Sequence, residues 1–368
     1  MPSLILAIQH HFRVSDAAFG LFYLLGSVLY GAGSVLAGMA AERLGQRVVL
    51  PLSALIAGVS LAAGAVIPTW PVFMVVVSLS AAGRGGLDGG INAIFLAAFR
   101  DSSGRSLNLL HGFFGVGALV TPVPLGVLVT LGVSWQALFV VTGAVYGVLA
   151  LALALSLSRL PLDVHPNGAR AAAGPRTFRT LLPFLGLSLA IAAYVAAEVG
   201  VGNWLVRYLA GQPLVVATGA LSTFWGGLAA GRLLSGWMAE RWPYRAFTVT
   251  CLALASLSLA AAVIVPWLPV AFVLYGLAGL FYGPVYPMIM AIGGLVYPQR
   301  LSALAGSLTT AGSVGSIVYP PLMGLMASGV GLQAAMLGAA GMGIPAIAGI
   351  FLSRQNVSFF AGSRIDPV

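Results

Sequence analysis

The sequence contains no lysine and little charge of either sign, since only 7% of its 368 residues are charged. All 17 basic residues are arginines, and they stand singly between apolar runs instead of forming a stripe with interleaved aromatic residues. That distribution argues against nucleic-acid binding, although the net charge is +9. The single cysteine, Cys251, excludes an intrachain disulfide and lies in an apolar run, where we expect a small buried hydrophobic side chain.

The signatures of enzymes and metal sites are missing as well. The sequence has no nucleophile elbow, no phosphate-binding loop, no HExxH motif and no cluster of cysteine and histidine. His111 has no second residue at the spacing of a metal ligand, so a packing or substrate-binding role is favoured over metal binding. We therefore expect no enzymatic activity, no cofactor and no metal site.

Apolar residues dominate the chain, at 60% of all positions with a mean hydropathy of +1.01. A water-soluble fold cannot hide so much apolar surface. Residues 1–8 are too short to span a bilayer and carry no basic segment, so they are neither a signal peptide nor a complete span. Apolar runs of about 20 residues recur further on. They predict eleven transmembrane helices, near residues 16–40, 47–67, 70–97, 106–131, 134–157, 180–206, 214–238, 246–265, 269–294, 302–328 and 332–352.

The arginines predict the orientation of these helices. Thirteen of them fall in the connections and the tail on one side, whereas only Arg13 and Arg207 fall on the other side. By the positive-inside rule the first side is cytoplasmic. We therefore expect a multi-pass protein of the plasma membrane, the inner membrane in a bacterium, with its C-terminal tail, residues 353–368, in the cytoplasm.

An internal repeat divides the chain into two halves. Residues 38–47 recur 198 positions later as residues 236–245. The same offset relates Pro68 and Pro71 to Pro266 and Pro269, and Gly117, Pro122 and Gly126 to Gly315, Pro320 and Gly324. Parallel repeats of this kind are typical of transporters with a site between two bundles. We predict an all-α membrane protein with halves at residues 1–157 and 180–352, joined by a Pro- and Arg-containing cytoplasmic linker at 158–179.

The repeat also predicts that most of a first helix is missing from the first half. The helix that begins near residue 180 has its counterpart before Met1, and residues 1–9 resemble the end of that counterpart. A complete ancestor would have twelve spans, six in each half. Either the true start lies upstream, with about 20 more residues encoded in frame, or the chain is a truncated variant.

Several motifs resemble those of one transporter family. Residues 38–47 read Gly-x-x-x-Glu-Arg-x-Gly-x-Arg, which is similar to the motif between the second and third helices of the major facilitator superfamily. Residues 87–92 resemble the Leu-Glu/Asp-x-x-x-Asn pattern in the fourth helix of the fucose:proton symporter branch, and residues 107–115 and 198–204 are similar to further patterns of that branch. Arg84 is not part of the pattern. The resemblance runs the length of the chain and implies two helix bundles around a central cavity.

The resemblance also implies a gate made of the repeated charged loops. In this superfamily such loops form charge clamps between the halves on the cytoplasmic side, closed when the site opens outward. Simple anchoring of the topology would explain the arginines but not the two glutamates. The residues to which this role is assigned are Glu42, Arg43, Arg47, Glu240, Arg241 and Arg245.

Charged residues inside the predicted spans are the main functional candidates, because an ionised group at mid-bilayer costs at least about 2.5 to 3.5 kcal/mol. Arg84, Asp88 and Asn92 follow one another at intervals of four, so they share one helix face. Arg84 and Asp88 either form a neutralising ion pair or serve a ligand. Glu198 carries a proton or makes a structural hydrogen bond, and Arg232 extends toward the cytoplasmic surface or has a functional role.

The repeat offset adds two aromatic candidates, because Tyr282 and Tyr286 are the repeat mates of Arg84 and Asp88. Aromatic rings opposite polar groups suit a sugar, whose C–H faces pack on rings while its hydroxyls take directed hydrogen bonds. Packing or lipid contact is the alternative for both tyrosines. The predicted substrate-binding set is Arg84, Asn92, His111, Asn203, Trp204, Tyr282 and Tyr286.

The sequence thus favours a secondary active transporter that moves a small polar solute, a sugar, by alternating access with proton coupling. Asp88 is the first candidate for the proton-carrying carboxylate and Glu198 the second, because the other six acidic residues lie at or beyond the membrane boundaries. The expected partners are the solute, protons and the lipid bilayer, with the protein as a monomer. Efflux of amphipathic drugs and a non-transporting sensor or truncated remnant are the alternatives.

Overall fold

A computed structural model describes residues 2–98, 113, 115–157, 178–239, 241–297 and 301–353. All regular structure in these ranges is helical, and a single 3-10 turn, Pro2–Leu4, precedes the first α-helix. The helices are α1 (Ile5–Phe12), α2 (Asp16–Leu44), α3 (Gln46–Gly64), α4 (Trp70–Ala98), α5 (Gly115–Thr130), α6 (Trp135–Leu157), α7 (Phe178–Tyr208), α8 (Leu214–Ala239), α9 (Tyr244–Ile264), α10 (Leu268–Tyr282), α11 (Val285–Val296), α12 (Leu301–Gly329), α13 (Leu332–Gly341) and α14 (Gly343–Leu352).

In the described residues, each of the eleven predicted spans corresponds to helix, and three of these helices are interrupted. The ninth span breaks between α10 and α11, where Pro284 cannot donate a hydrogen bond to the preceding turn. The last span breaks at Met342, where Pro345 leaves the carbonyl of Gly341 without its helical donor. A bend at Thr121, next to Pro122, interrupts α5.

The helices have the length and surface of membrane-spanning segments. Nine spans in the described ranges are long and apolar enough to cross a bilayer, counting α10 with α11 and α13 with α14, and α5 is a shorter apolar helix. Large apolar side chains such as Leu233, Leu295 and Ile344 are more than 70% exposed. Such exposure is favourable in lipid and unfavourable in water, so the prediction of an all-α integral membrane fold is confirmed.

The two halves repeat one another in packing as well as in sequence. A Cβ atom on Gly33 of α2 would overlap the backbone of Ala82 on α4, and one on Gly231 of α8 would overlap the backbone of Leu280 on α10. Each glycine and each partner is 198 positions from its counterpart. The reciprocal contacts keep the same offset, with Gly85 against Tyr30 and Gly283 against Leu228. Small residues therefore bring the same pair of helices together in both halves.

The α2–α4 contact yields a stability prediction with a matched control in the same helix. Gly33→Ala must push α2 and α4 apart, and overpacking of this kind costs about 1 to 3 kcal/mol. Gly31→Ala meets nothing within 4 Å, and it should be neutral or stabilising by up to about 1 kcal/mol because alanine favours helix. We expect purified Gly33→Ala to melt at a lower temperature than the parent and Gly31→Ala to match or exceed it. Equal melting temperatures for both variants would contradict the close contact.

We call the side of the bundle that holds the α2–α3 and α8–α9 connections the arginine-rich side, and the opposite side the arginine-poor side. On the arginine-poor side the first half meets the second through α2, α7 and α12. A Cβ atom on Gly20 would lie 2.8 Å from the carbonyl oxygen of Pro321, and one on Gly324 would lie 2.6 Å from that of Asp16. The two halves are therefore in backbone contact at this side.

Candidate functional site

Asp88 is held by neutral hydrogen-bond donors from two helices. The Tyr30 hydroxyl on α2 donates to Oδ2 of Asp88 at 2.6 Å, and Nδ2 of Asn92 donates to Oδ1 at 3.4 Å. Tyr30 reaches the carboxylate because Gly85 lets α4 approach the Tyr30 backbone closely. The structure thus brings Asp88 and Asn92 together as the helical spacing predicts, and adds a tyrosine that sequence reasoning missed.

Arg84 lies one turn from Asp88, and among the described residues it forms no ion pair with that carboxylate or with any other. Its side chain is exposed, and its charge acts on the nearby Tyr30 hydroxyl. A spacing of four residues permits an ion pair but does not require one. The arrangement differs from the neutralising pair considered from the sequence, because Tyr30 and Asn92 are the partners of Asp88.

Glu198 is paired with Arg232. Their oxygen and nitrogen atoms, Oε1 and Nη2, are 3.2 Å apart, and the side chains are 9% and 31% exposed. Arg232 therefore reaches toward α7, whereas the sequence alone favoured extension toward the membrane surface. The buried Tyr194, one turn before Glu198, lies beside the pair, since both charges act on its hydroxyl. A carboxylate this buried needs such a counter-charge.

Tyr286 lies between the polar groups of the two halves. Its hydroxyl is 3.1 Å from Oγ1 of Thr309 on α12, and the charged groups of Arg232, Glu198 and Asp88 lie in its neighbourhood. Asp88 belongs to the first half and the other two charges to the second, so both sets of polar groups face one space. This space between the halves is the candidate site.

Tyr282 lies elsewhere, inside the second bundle. It is 1% exposed and its ring packs against Tyr194 and Phe224, with centroid distances of 5.8 and 6.5 Å. The helix break after Tyr282 separates its orientation from that of Tyr286. In this structure Tyr282 therefore contributes packing next to the Glu198 region and no surface to the space between the halves.

Asn203 and Trp204 lie in the contact between the halves on the arginine-poor side. Trp204 is completely buried, and its indole nitrogen donates to the carbonyl of Pro320 at 2.8 Å. Tyr23 of α2 donates to the carbonyl of Asn203 at 3.1 Å, and its ring meets that of Trp204 edge to face. The two residues thus close one side of the bundle here instead of lining an open surface.

A second ion pair joins the two halves at the same side. Arg207 donates from Nε and Nη2 to the two oxygens of Asp16, at 2.7 and 3.0 Å, and Gln9 donates to the same carboxylate at 2.7 Å. A cavity of about 440 Å³ adjoins this cluster and includes His10 in its lining. Sequence reasoning missed the pair, although opposite charges at the same predicted membrane boundary in the two halves were a usable signal.

This cluster predicts how easily the arginine-poor side opens. Asp16→Asn removes the charge that holds Arg207, and loss of a bidentate, partly exposed pair should destabilise the closed arrangement by about 1 kcal/mol. A cysteine at Ser27, one turn inward from Tyr23, should then react several-fold faster with an impermeant maleimide. The test uses a Cys251→Ser background, since Cys251 is the single native cysteine.

Two further variants make the labelling experiment decisive. Asp16→Asn with Arg207→Gln should label no faster than Asp16→Asn alone, because both changes break the same interaction. Arg13→Gln, a charge change at an exposed neighbouring arginine, should leave the labelling rate unchanged. An Asp16→Asn protein that labels at the parent rate would show that the pair does not hold the halves together.

The predicted gate residues on the arginine-rich side are only partly described. Glu42, Arg43 and Arg47 are exposed around the α2–α3 connection. Arg241 is exposed, and Arg245 donates to the Ser353 carbonyl of its own half at 2.9 Å. Glu240 and His111 lie outside the described residues. The gate therefore stays a prediction.

No group of three or more histidine, cysteine, aspartate or glutamate side chains is placed to bind a metal within the ranges that the structure describes. The polar groups instead form two separate sets. One set surrounds the Asp88 carboxylate between α2 and α4, and the other is the Glu198–Arg232 pair between α7 and α8. Both sets lie within predicted membrane spans.

Two repeated helix bundles that span a membrane and enclose such polar groups define a secondary transporter. The family comparison is specific: the model of the Major Facilitator Superfamily matches residues 1–218. The chain belongs to this superfamily, whose members are transporters and not enzymes. The resemblance inferred from the motifs is confirmed.

Two curated relatives match part of the chain. The chain is 26% identical over 264 residues to "Bypass of stop codon protein 6" of Saccharomyces cerevisiae, which covers 62% of the chain and 53% of that protein. It is 28% identical over 266 residues to "Sodium-dependent glucose transporter 1" of Xenopus laevis, covering 62% and 52%. The chain thus spans about half the length of the curated relatives that it matches.

Solved structures show the same fold. A bacterial homologue of the human lysosomal transporter Spinster, inward-facing and unoccupied, superposes with a TM-score of 0.78 at 17% identity, covering 96% of this chain and 92% of that chain. The fucose:proton symporter FucP in the outward conformation gives a TM-score of 0.64 at 18% identity, covering 96% and 94%. These likenesses concern the fold, which is that of the superfamily.

Proposed function

We propose that this transporter moves a small polar solute, a sugar, together with protons, by alternating access between its two halves. The observation that carries the proposal is the Asp88 carboxylate, which is exposed at mid-helix and bonded to Tyr30 and Asn92 without an ion pair among the described residues. A proton carrier needs a group whose proton affinity changes when water and neighbouring charges change. A carboxylate held only by neutral donors meets that need better than one neutralised by an arginine.

Glu198 is the weaker candidate for this role. Its carboxylate is paired with Arg232 between α7 and α8, and it is only 9% exposed. Protonating Glu198 would leave Arg232 without its counter-charge inside the membrane, which is costly. We therefore assign proton coupling to Asp88 and a structural role to the Glu198–Arg232 pair, which joins α7 to α8.

The chemistry of the shared space supports a hydroxyl-bearing solute. Tyr30, Asn92, Tyr286 and Thr309 offer neutral donors and acceptors from both halves. Such groups form the directed hydrogen bonds that sugar hydroxyls require, and the two tyrosine rings offer apolar faces. A relative named as a glucose transporter and a structural neighbour named as a fucose symporter support the same substrate class.

Uptake by proteoliposomes tests the proposal. Purified protein should accumulate at least one sugar when the outside is acidic relative to the lumen, and accumulation should stop when a protonophore collapses the gradient. A sodium gradient imposed at equal pH should give no accumulation. Protein-free liposomes are the control. Accumulation driven by sodium alone would contradict proton coupling, and absence of any uptake across a sugar panel would contradict the function.

We also propose that the arginine-rich side is cytoplasmic, with halves 1–157 and 180–352 joined by linker 158–179. Thirteen arginines on that side support the orientation through the positive-inside rule. Green fluorescent protein fused after Val368 should fluoresce, and alkaline phosphatase fused at the same point should be inactive. Active phosphatase in that fusion would reverse the orientation.

A further inference from the structure

Arg84 is a cation near the middle of α4. It lies 14 positions from each end of the helix, Trp70 and Ala98, or about 21 Å from either at 1.5 Å per residue. The hydrocarbon core of a bilayer is about 30 Å thick, so a residue midway along this longer helix lies well inside the core. Arginine carries a permanent positive charge in proteins.

Among the described residues, Arg84 forms no direct ion pair. Arg207 is paired with Asp16, and Arg232 is paired with Glu198. Asp88 is one turn away, but its two oxygens accept hydrogen bonds from Tyr30 and Asn92. A cation at this depth that makes no direct ion pair is costly, and such residues face a water-filled cavity or a ligand.

The packing of α4 shows which way Arg84 faces. Gly85 lies against the backbone of Tyr30 on α2, and Gly83 lies against that of Ser53 on α3. Arg84 and Asp88 occupy the remaining face, one turn apart. Both side chains are exposed there, and Asp88 lies near the Tyr286 hydroxyl of the second half. Arg84 therefore faces the space between the halves, where the solute of the proposed function would bind.

We propose that Arg84 binds an anionic group of the transported solute, so that the substrate is an organic anion with hydroxyl groups, such as a sugar acid or a sugar phosphate. This inference rests on the proposed function and specifies its substrate class. The planar guanidinium offers paired donors that match a carboxylate or a phosphate. Tyr30, Tyr286 and Thr309 remain for the hydroxyl groups of the same molecule.

The spacing of Arg84 and Asp88 also couples the anion to the proton. The Cβ atoms of residues four apart on a helix are about 6 Å apart, so an ionised Asp88 weakens the attraction of Arg84 for an anion. Protonation of Asp88 removes that competing negative charge. A proton and a monoanion should therefore bind together and stabilise each other, which is reciprocal by thermodynamic linkage. One monoanion carried with one proton moves no net charge across the membrane.

Three ligands that share one ring test the substrate class: glucose, glucuronate and glucose 6-phosphate. Binding to the purified protein is measured from the rise in melting temperature with ligand concentration. We expect at least one of the two anions to bind more tightly than glucose. Arg84→Gln should weaken anion binding about 10- to 100-fold, as expected for loss of a charged hydrogen bond, and leave glucose unchanged.

Control variants keep the inference testable. Arg84→Lys keeps the charge and should retain part of the affinity, whereas Arg13→Gln removes an exposed arginine at the arginine-poor side and should retain all of it. Anion binding that is unaffected in Arg84→Gln, or glucose that binds as tightly as both anions, would overturn the anion site. If the protein accumulates glucose with protons and neither anion competes, the anion site fails and the proposed function stands. If an anion binds through Arg84 and no solute is transported, the anion site stands and the proposed function fails.

Discussion

Asp88→Asn should abolish accumulation of substrate driven by a pH gradient while leaving exchange of substrate across the membrane partly intact. An amide has the size of the carboxylic acid and still accepts the Tyr30 hydrogen bond, but it cannot bind and release a proton. Net uptake requires that the carrier release its proton on one side. In exchange the carrier returns with substrate and proton still bound, so no proton needs to be released. Accumulation and exchange are measured in the same proteoliposomes with labelled substrate.

Two further variants test which residue carries the proton. Glu198→Gln should retain accumulation, because the Asp88 carboxylate to which we assign the proton is still present. Tyr30→Phe should retain accumulation at a lower rate, because it removes one donor and leaves the carboxylate. If Asp88→Asn accumulates substrate while Glu198→Gln does not, the proton is carried by Glu198. If neither change affects accumulation, coupling through both carboxylates is wrong.

Arg232→Gln should be among the most destabilising single substitutions in the second half. It leaves Glu198, which is 9% exposed, as an uncompensated carboxylate between α7 and α8. Breaking one partner of a buried pair costs about 3 to 5 kcal/mol, although the partial exposure of Arg232 places the effect at the lower end. We expect a melting temperature several degrees below that of the parent protein in detergent.

The double variant provides the sharper measurement. Glu198→Gln combined with Arg232→Gln removes both charges, so it should recover most of the stability lost in Arg232→Gln alone. Arg84→Gln is the matched control, because it removes an arginine that has no ion pair among the described residues and should cost little or nothing. Strict additivity of the two single changes would show that the Glu198–Arg232 contact does not contribute to stability.

The sequence by itself determined the membrane class, the eleven spans and the repeat. Membrane-spanning helices must satisfy their backbone groups internally over a length fixed by the bilayer, so each leaves a local apolar run that can be read directly. The offset of 198 residues between Gly33 and Gly231 carries over into the packing, because equivalent small residues let equivalent helices approach. The sequence also selected Asp88 and Asn92, because their spacing places them on one helix face.

Tertiary structure alone decided the partners of the charged residues. Glu198 finds Arg232 34 positions away, and Asp16 finds Arg207 191 positions away, in helices whose neighbours no local pattern specifies. Helical spacing permitted a pair between Arg84 and Asp88, but the close approach of α2 supplied Tyr30 instead. The repeat placed Tyr282 and Tyr286 at matching depth, yet the break between α10 and α11 turns one into its own bundle and the other toward the opposite half. Which side chains meet depends on the distance and rotation between packed helices, and these are set by many contacts at once.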